Sequence, residues 1–471
     1  MNRIAVIGAG PAGLTAAYQL TKRIGDVAVF EASSCVGGLA RSMSLWNQIV
    51  DLGPHRFFSH DRRVNELWLE VVGRDYAMVK RQTRILYDGK LFKYPLEGLD
   101  VLQKLGAWEA MRCLYSYAQE WGSPTRLDGS FQNWVCQRFG RRLFEIFFQK
   151  YSEKLWGISC TELDADFAAQ RIKKFSLSVA VKSALFYNTG KNHRTLADEF
   201  AYPTGGTGTV YQRMAEAVQQ RGGQVRLKTP VLKVLTENRK VIGLKMASGA
   251  VACDRVISTM PLTVMVLQLD GVPPEVTAAC AQLQFRNTIL VYVEVLDGNP
   301  WPDNWIYVHS PDLRFGRVTN FRNWVPQLYG GSPHAILAME YWCNSDDALW
   351  QQEDHSLIAQ AREELVRSGL VSSAEKLGRG SVFRVPRAYP VYRRGYQQHL
   401  KVIREYLATI EGLDVIGRYG SFKYNNQDHS ILMGRLAAEN VLDGKHHDLW
   451  AINTDYDAYQ EACSITESGL T

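Results

Sequence analysis

The sequence predicts an α/β protein whose discontinuous Rossmann-type dinucleotide-binding domain carries a helical insertion and an antiparallel-sheet substrate domain. Three observations predict it. A glycine-rich turn joins a short apolar strand to a helix within residues 3–23, and a second strand follows at 27–31. Between 100 and 200, two long stretches place apolar residues at three- and four-residue spacing. From 285 to 345 the pattern changes to the two-residue alternation of strands. The implied organisation begins with 1–98 as the first part of the dinucleotide domain and 99–200 as a helical substrate or cap domain. The dinucleotide domain resumes over 201–265, the antiparallel substrate domain occupies 266–400, and 401–450 returns to the dinucleotide domain before a tail at 451–471.

Taken in order, RIAVIG (3–8) is a strand that ends in glycine, LTAAYQLTKR continues as a helix, and VAVFE (27–31) is the next strand. Residues 32–60 read as loop-rich. LQKLGAWEAMRCLYSYAQEW and FQNWVCQRFGRRLFEIFFQKYSEKLW read as helices. Residues 205–260 return to α/β, with the helix VYQRMAEAVQQRG and strands in QVRLKTPVLKVLTEN, KVIGLKMASG and DRVISTM. NTILVYVEVLD, NWIYVHS and HAILAMEYW alternate as strands of an antiparallel sheet. A strand in DVIGRYG, a polar loop and the helix ILMGRLAAENVL close the pattern.

At 471 residues the chain has material for two or three lobes. Its apolar fraction of 46% and charged fraction of 22% are those of a soluble globular protein. The net charge of +6 comes without a Lys/Arg block, which argues against a nucleic-acid partner and suits an anionic small molecule. The eight cysteines (Cys35, Cys113, Cys136, Cys160, Cys253, Cys280, Cys343 and Cys463) form no CxxC pair and no cluster with His. They read as reduced core cysteines of a cytoplasmic protein without a metal site. The first strand begins at Arg3, so no cleaved leader is expected, and no apolar run approaches the roughly 18 residues of a membrane span.

Gly8-Ala9-Gly10-Pro11-Ala12-Gly13 is GxGxxG set between a strand and a helix, with Glu31 at the end of the next strand. Gly8 permits the tight turn, Gly10 lets backbone approach a pyrophosphate, and Gly13 lets helix pack on strand. The helix start at Pro11 and Ala12 offers N–H groups and partial positive charge to phosphates. Glu31 suits the ribose hydroxyls and disfavours a 2′-phosphate at this site. A second glycine pair follows in Gly37-Gly38-Leu39-Ala40-Arg41. A plain NAD dehydrogenase has no need of it, so non-covalent FAD is the expected cofactor, with Gly38, Leu39 and Arg41 beside its pyrophosphate and flavin.

With these residues assembled, the chain resembles the FAD-containing superfamily of amine oxidases, protoporphyrinogen oxidase and UDP-galactopyranose mutase, and within it the mutases. DLGPHRFFSH (51–60) is similar to the mutase loop beside the flavin, with Gly53 and His55 matching and Pro54 in place of a glycine. In KYPL (93–96) Tyr94 matches an aromatic near the uracil, while Glu97 replaces a glutamine. FQNWVCQRFG through KLWGIS resembles the mutase helical domain, including its Trp156 segment. AAQRI puts Arg171 on a diphosphate-binding arginine, and Asn192 in NTGKNHRT is the match to the uridine loop. AYPTGGTGTV and STMPL resemble further stretches of the flavin domain. In NWIYVHSPDLRFGRVTNFRNW, Trp305 and Tyr307 match an aromatic pair and Arg317 a phosphate-binding arginine; in AYPVY, Tyr389 matches a phosphate-contacting tyrosine. GRYGSFKYNNQDHS is the most specific block. There Gly417, Arg418, Asn426, Gln427, Asp428 and Ser430 match residues around the flavin, and Tyr424 and Asn426 match residues on the substrate side.

The resemblance implies an enzyme that interconverts the pyranose and furanose forms of a nucleotide-linked sugar through N5 of a reduced flavin, without net redox. It implies His55 near N5, and Arg171, Arg317, Tyr389 and Tyr424 together on the diphosphate. The helix that starts at 430–434 would aim its N-terminus at the flavin N1–C2 carbonyl. An external NAD(P)H is the implied reductant, and a nucleotide-sugar or other diphosphate-bearing molecule the implied partner. The sequence holds no metal-ligand cluster, no GxSxG elbow and no paired-carboxylate signature. The basic run RIKKFSLSVAVK (171–182) reads as a solvated helix face rather than a membrane contact. The rival expectation is an oxidoreductase of the same fold that abstracts hydride from a small molecule.

Overall fold

The computed structural model describes residues 3–122, 128–166, 199–296, 298–453 and 464–470. The chain divides into two compact units. One comprises Met1–Val79, Phe200–Gln284 and Tyr396–Thr471; the other comprises Lys80–Glu199 and Phe285–Gly395. The helical stretch and the large sheet, separated in the sequence reading, therefore share the second unit. The structural cuts fall at 79/80, 199/200, 284/285 and 395/396.

The first unit is built on a five-stranded parallel sheet in the order Leu413–Val415, Arg255–Ser258, Ile4–Ile7, Val27–Phe30, Gln224–Arg226. Ile4 lies opposite Val27 on one side and Arg255 on the other. The central strands Ile4–Ile7 and Val27–Phe30 are short and wholly apolar because helices cover the sheet. Val6, Val29, Ile257, Leu14, Ala16, Ile431 and Leu436 belong to one buried cluster. Pro11–Leu20 begins with Pro at its first turn, where the missing N–H costs nothing. Gln427–Asp443 crosses it so closely that a Cβ on Gly434 would run into Ala12 O.

The second unit is a seven-stranded sheet in the order Leu377–Pro390, Phe285–Val295, Ala335–Cys343, Arg317–Asn320, Trp305–Val308, Thr83–Tyr87, Lys90–Lys93. Its strands are antiparallel except that Trp305–Val308 runs parallel to Thr83–Tyr87. That pair joins distant parts of the chain rather than a hairpin, which frees its direction. Ile289, Val291, Ile306, Val318, Leu337 and Met339 meet Leu357 and Leu365 in the unit's core. The helices of this unit include Gly98–Leu105, Ala107–Gly122, Phe131–Phe139, Arg141–Phe144 and Lys150–Trp156, the last two joined by one π-helical turn over Glu145–Gln149.

Several expectations change. The loop-rich stretch 32–60 contains the hairpin Ser42–Leu45 with Gln48–Asp51. Its turn sets Trp46 and Asn47 at φ 53° and 62°, a primed-turn geometry that no Asn-Gly announced. In DVIGRYG the strand ends at Val415, and Gly417, at φ 82°, opens a short helical turn instead. Leu377–Pro390 is a long strand whose Gly, Arg and Pro residues hide its alternation. Of the seven described cysteines, six are buried but Cys35 is exposed, with Arg41 Nη1 3.2 Å from its sulfur.

Candidate functional site

In the first unit the glycine-rich segments meet at the carboxyl ends of the parallel strands, where open α/β sheets take ligands. Gly8 has φ 96°, and a Cβ on it would strike Thr259 Oγ1. A Cβ on Gly13 would strike Gly8 O. Packing alone therefore demands glycine at both. Gly10 differs: its backbone is extended, at φ −84° and ψ −175°. A Cβ there would meet only Gly38 Cα, at 3.8 Å. Nothing in the protein requires glycine at this position. Pro11–Leu20 starts beside it, and the N–H groups of its first turn lack intrahelical partners.

Glu31 holds this loop together. Its Oε2 accepts from Ala9 N at 2.7 Å and its Oε1 from Ser33 N at 2.8 Å, which leaves each oxygen a second lone pair. Gly37, at φ 99°, donates its N–H to Ala9 O at 2.8 Å and leads into the turn Gly38–Ala40 that contains Leu39 and precedes Arg41. Gly53, at φ 100°, turns the chain into His55, whose N–H donates to Gly53 O at 3.0 Å. Gln427 is the knot of the floor. Its Nε2 donates to His55 O at 3.3 Å and Arg56 O at 3.4 Å, while its Oε1 accepts from Tyr211 OH at 2.6 Å and Thr207 Oγ1 at 3.1 Å. Both ends of the Gln427 amide are thus spent on protein. Exposed Asn426 caps the helix Gln427–Asp443 in a capping box with His429; Asp428 lies in the first turn and Ser430 is buried behind it. Arg418 lies over the Tyr424 ring, 4.2 Å from its centroid, and donates to Asn425 O at 3.0 Å. Gly417 abuts Ala12: a Cβ added to it would lie 3.0 Å from that residue's own Cβ.

The second unit carries a different assembly. Strand register lines up Tyr307, Arg317 and Glu340 as neighbours across three strands. Arg317 donates from Nε and Nη2 to the two Glu340 oxygens at 2.6 and 2.7 Å, a bidentate fork. The Glu340 side chain is 2% exposed and that of Arg317 16%. Burial works to lower the guanidinium pKa, but the charge of Glu340, helped by the nearby Tyr389 and Tyr307 phenols, outweighs it and raises the pKa well above its ordinary value. Arg317 therefore stays charged. The resemblance matched Arg317 to a phosphate-binding arginine. Cross-strand pairing commits one edge of its fork to Glu340 and leaves Nη1 outside that pair.

Aromatic rings surround this ion pair. Tyr94 lies 5.0 Å from Tyr307, and Trp305 lies 6.4 Å from Tyr307. Tyr151 meets Tyr307 edge-on at 6.0 Å, stacks on His309 at 4.4 Å and meets Trp342 at 5.8 Å. Trp342 and Trp156 both meet Tyr389 edge-on, at 6.3 and 6.2 Å. The helix that carries Tyr151 is pinned by Lys154, whose Nζ reaches the carbonyls of Val308, Ser310, Leu313 and Phe315 at 2.7–3.2 Å. Burial depresses its pKa to about 8.

Tyr94, Trp305, Tyr307, Arg317 and Tyr389 thus lie in the second unit, and the glycine loops, His55, Arg418, Tyr424 and Asn426–Ser430 in the first. Arg171, Asn192 and the basic run 171–182 lie outside the described residues. Sequence reasoning missed Glu340, Tyr151, His309, Trp342 and Lys154. Glu340 alone left a signal, a lone carboxylate in the apolar run HAILAMEYW.

The profile of the flavin containing amine oxidoreductases matches residues 11–442. The chain belongs to that family. It is 28% identical to 1-hydroxycarotenoid 3,4-desaturase of Flavobacterium sp. over 55% of this chain and 57% of the desaturase, less than two thirds of that protein's length. It is 22% identical to coproporphyrinogen III oxidase of Mycobacterium tuberculosis over 77% of this chain and 81% of that one. Among solved structures, reduced UDP-galactopyranose mutase superposes with a TM-score of 0.83 at 22% identity, covering 96% of each chain. That likeness shows the shared fold. Family membership makes the chain a flavoenzyme and implies FAD. The residues fit such a group, because the open space before Gly10 is a cradle that a pyrophosphate would fill and a side chain would block. Among the described residues no cluster would hold a metal ion, and no helix is long and apolar enough to cross a membrane.

Proposed function

We propose that the chain interconverts ring forms of a nucleotide-linked sugar, or of a related sugar diphosphate, as UDP-galactopyranose mutases do. The observation that supports this is the charged Arg317 held by Glu340 beneath Tyr307 and Tyr389. A purely hydrocarbon substrate has no use for a buried guanidinium among phenols, whereas a diphosphate does. In this reading Gly8, Gly10, Gly13, Glu31, Gly38, Arg41 and Arg418 hold FAD, and the helix start at Asn426–Ser430 favours negative charge on its ring. When bound, the cofactor supplies a nucleophilic N5, kept reduced at the expense of an external nicotinamide. Arg317 neutralises charge on the leaving diphosphate, Tyr389 donates a hydrogen bond to it, and Trp305, Tyr307 and Tyr94 shield the sugar and base from water. The second reading is hydride abstraction from a neutral substrate. It is favoured by Glu340, which cancels the charge of Arg317, and by relatives named as an oxidase and a desaturase.

UDP binding measured by titration calorimetry on Arg317→Lys and Arg317→Ala tests the proposal. Both variants should lose affinity, Ala by about a hundredfold or 2–3 kcal/mol, with FAD content unchanged. UDP affinity equal to wild type in both would remove Arg317 from the substrate site.

A further inference from the structure

The helix Ala107–Gly122 of the second unit wears its apolar face outward. Trp108 is 72% exposed, Met111 54%, Leu114 46%, Tyr115 67% and Trp121 74%. At 3.6 residues per turn these five side chains fall within an arc of roughly 140°. They make up half of the ten large apolar side chains exposed among the described residues, and include every aromatic one. An aromatic side chain presents on the order of 150–250 Å². The three rings alone thus display about 400 Å², as much as the largest apolar patch of an ordinary monomer.

The charges are arranged to match. The helix has two carboxylates, and both lie on its covered side: Glu120 is buried, and Glu109 accepts from Arg142 and Arg112. Arg112 itself is half exposed, and Arg141 is exposed in Arg141–Phe144. The outward surface of the helix therefore offers rings, methyls and a guanidinium, and no carboxylate.

We propose that this face docks the protein on an anionic lipid bilayer. The helix lies in the plane of the interface, its indole and phenol groups sit at headgroup level, and Arg112 meets lipid phosphate. A second copy of the chain fits less well. Two such faces packed against each other would offer the half-exposed Arg112 no carboxylate beyond the Glu109 it already has. The proposal stands apart from the assignment of substrate, since none of these side chains belongs to the site described above.

Vesicle flotation of the FAD-loaded protein tests it. The protein should float with vesicles of equal phosphatidylcholine and phosphatidylglycerol, and stay below with phosphatidylcholine alone. The bound fraction should fall at about 0.5 M salt. The double variant Trp108→Ser/Trp121→Ser should lose about tenfold of the bound fraction while its flavin content and melting temperature stay as in wild type. Wild-type protein that remains at the bottom, or a double variant that floats as well as wild type, would overturn the proposal. So would a wild-type dimer in size exclusion that the double variant converts to monomer while vesicles bind neither form; that result assigns the face to a second copy.

Discussion

Three glycines of one loop are glycine for different reasons. Gly8 and Gly13 serve contacts with Thr259 and between Gly13 and Gly8 O, whereas Gly10 faces space the protein does not fill. Gly10→Val should therefore fold and melt near the flavin-free wild type, and purify without flavin, read from its visible absorbance; a yellow, fully loaded variant would refute the cradle. Glu340 behaves oppositely, since its partner is internal. Glu340→Gln weakens a buried bidentate pair and should cost about 3–5 kcal/mol, checked by denaturant titration. His309 adds a pH dependence. Burial, and then the Lys154 ammonium, hold its pKa down from 6.5 to about 3. The unfolded chain then binds the proton more readily than the folded one between these values. The stability that His309 contributes is complete above about pH 6.5 and disappears as pH falls toward 3. Melting temperatures between pH 7 and 4 should decline less in His309→Phe than in wild type. The positions of Glu31 and the glycines in the loop were legible because strand, turn and helix set them locally. Tyr151 and His309 were not, because they gain meaning only from strands and a helix far apart in sequence.

Among the elements, Lys150–Trp156 shows how the aromatic set is held in place. Its last carbonyls are met by Arg286, whose Nε and Nη2 point to Leu155 O at 3.4 Å and Lys154 O at 3.3 Å. The helix ends at Gly157, with φ 68°, and a Cβ there would sit 2.5 Å from the Arg286 guanidinium carbon. Gly157→Ala should cost about 1–3 kcal/mol through both strain and displacement of Arg286, and it should show as a lowered melting temperature. Elements with a clean period were legible: the parallel strands Ile4–Ile7 and Val27–Phe30, and the strands Phe285–Val295 and Ala335–Cys343. Leu377–Pro390 was not, since its packing on Phe285–Val295 overrides a composition of Gly, Arg and Pro. The turn at Trp46-Asn47 was hidden in the same way, by a Trp where glycine would have marked it.

At the scale of the whole chain, the α/β class, the parallel flavin-type sheet and the large second sheet followed from period and glycine placement. The grouping into two units did not, because local pattern cannot say that helices at 98–156 and strands at 285–390 belong to one unit. The proposed substrate side came from resemblance alone. Its tyrosines and Arg317 carry no local signature, and Glu340 turns an expected open anion fork into a partly committed one. The proposal to be tested is that this fork serves a sugar diphosphate in an enzyme that works with reduced flavin. The most direct test is to reduce the enzyme anaerobically with dithionite, add a panel of nucleotide-sugars, and follow products by chromatography. Interconversion of ring isomers with the flavin remaining reduced is the expected result. No isomerisation of any nucleotide-sugar, together with bleaching of the oxidised flavin by an added neutral metabolite, would contradict it and make the chain an oxidoreductase.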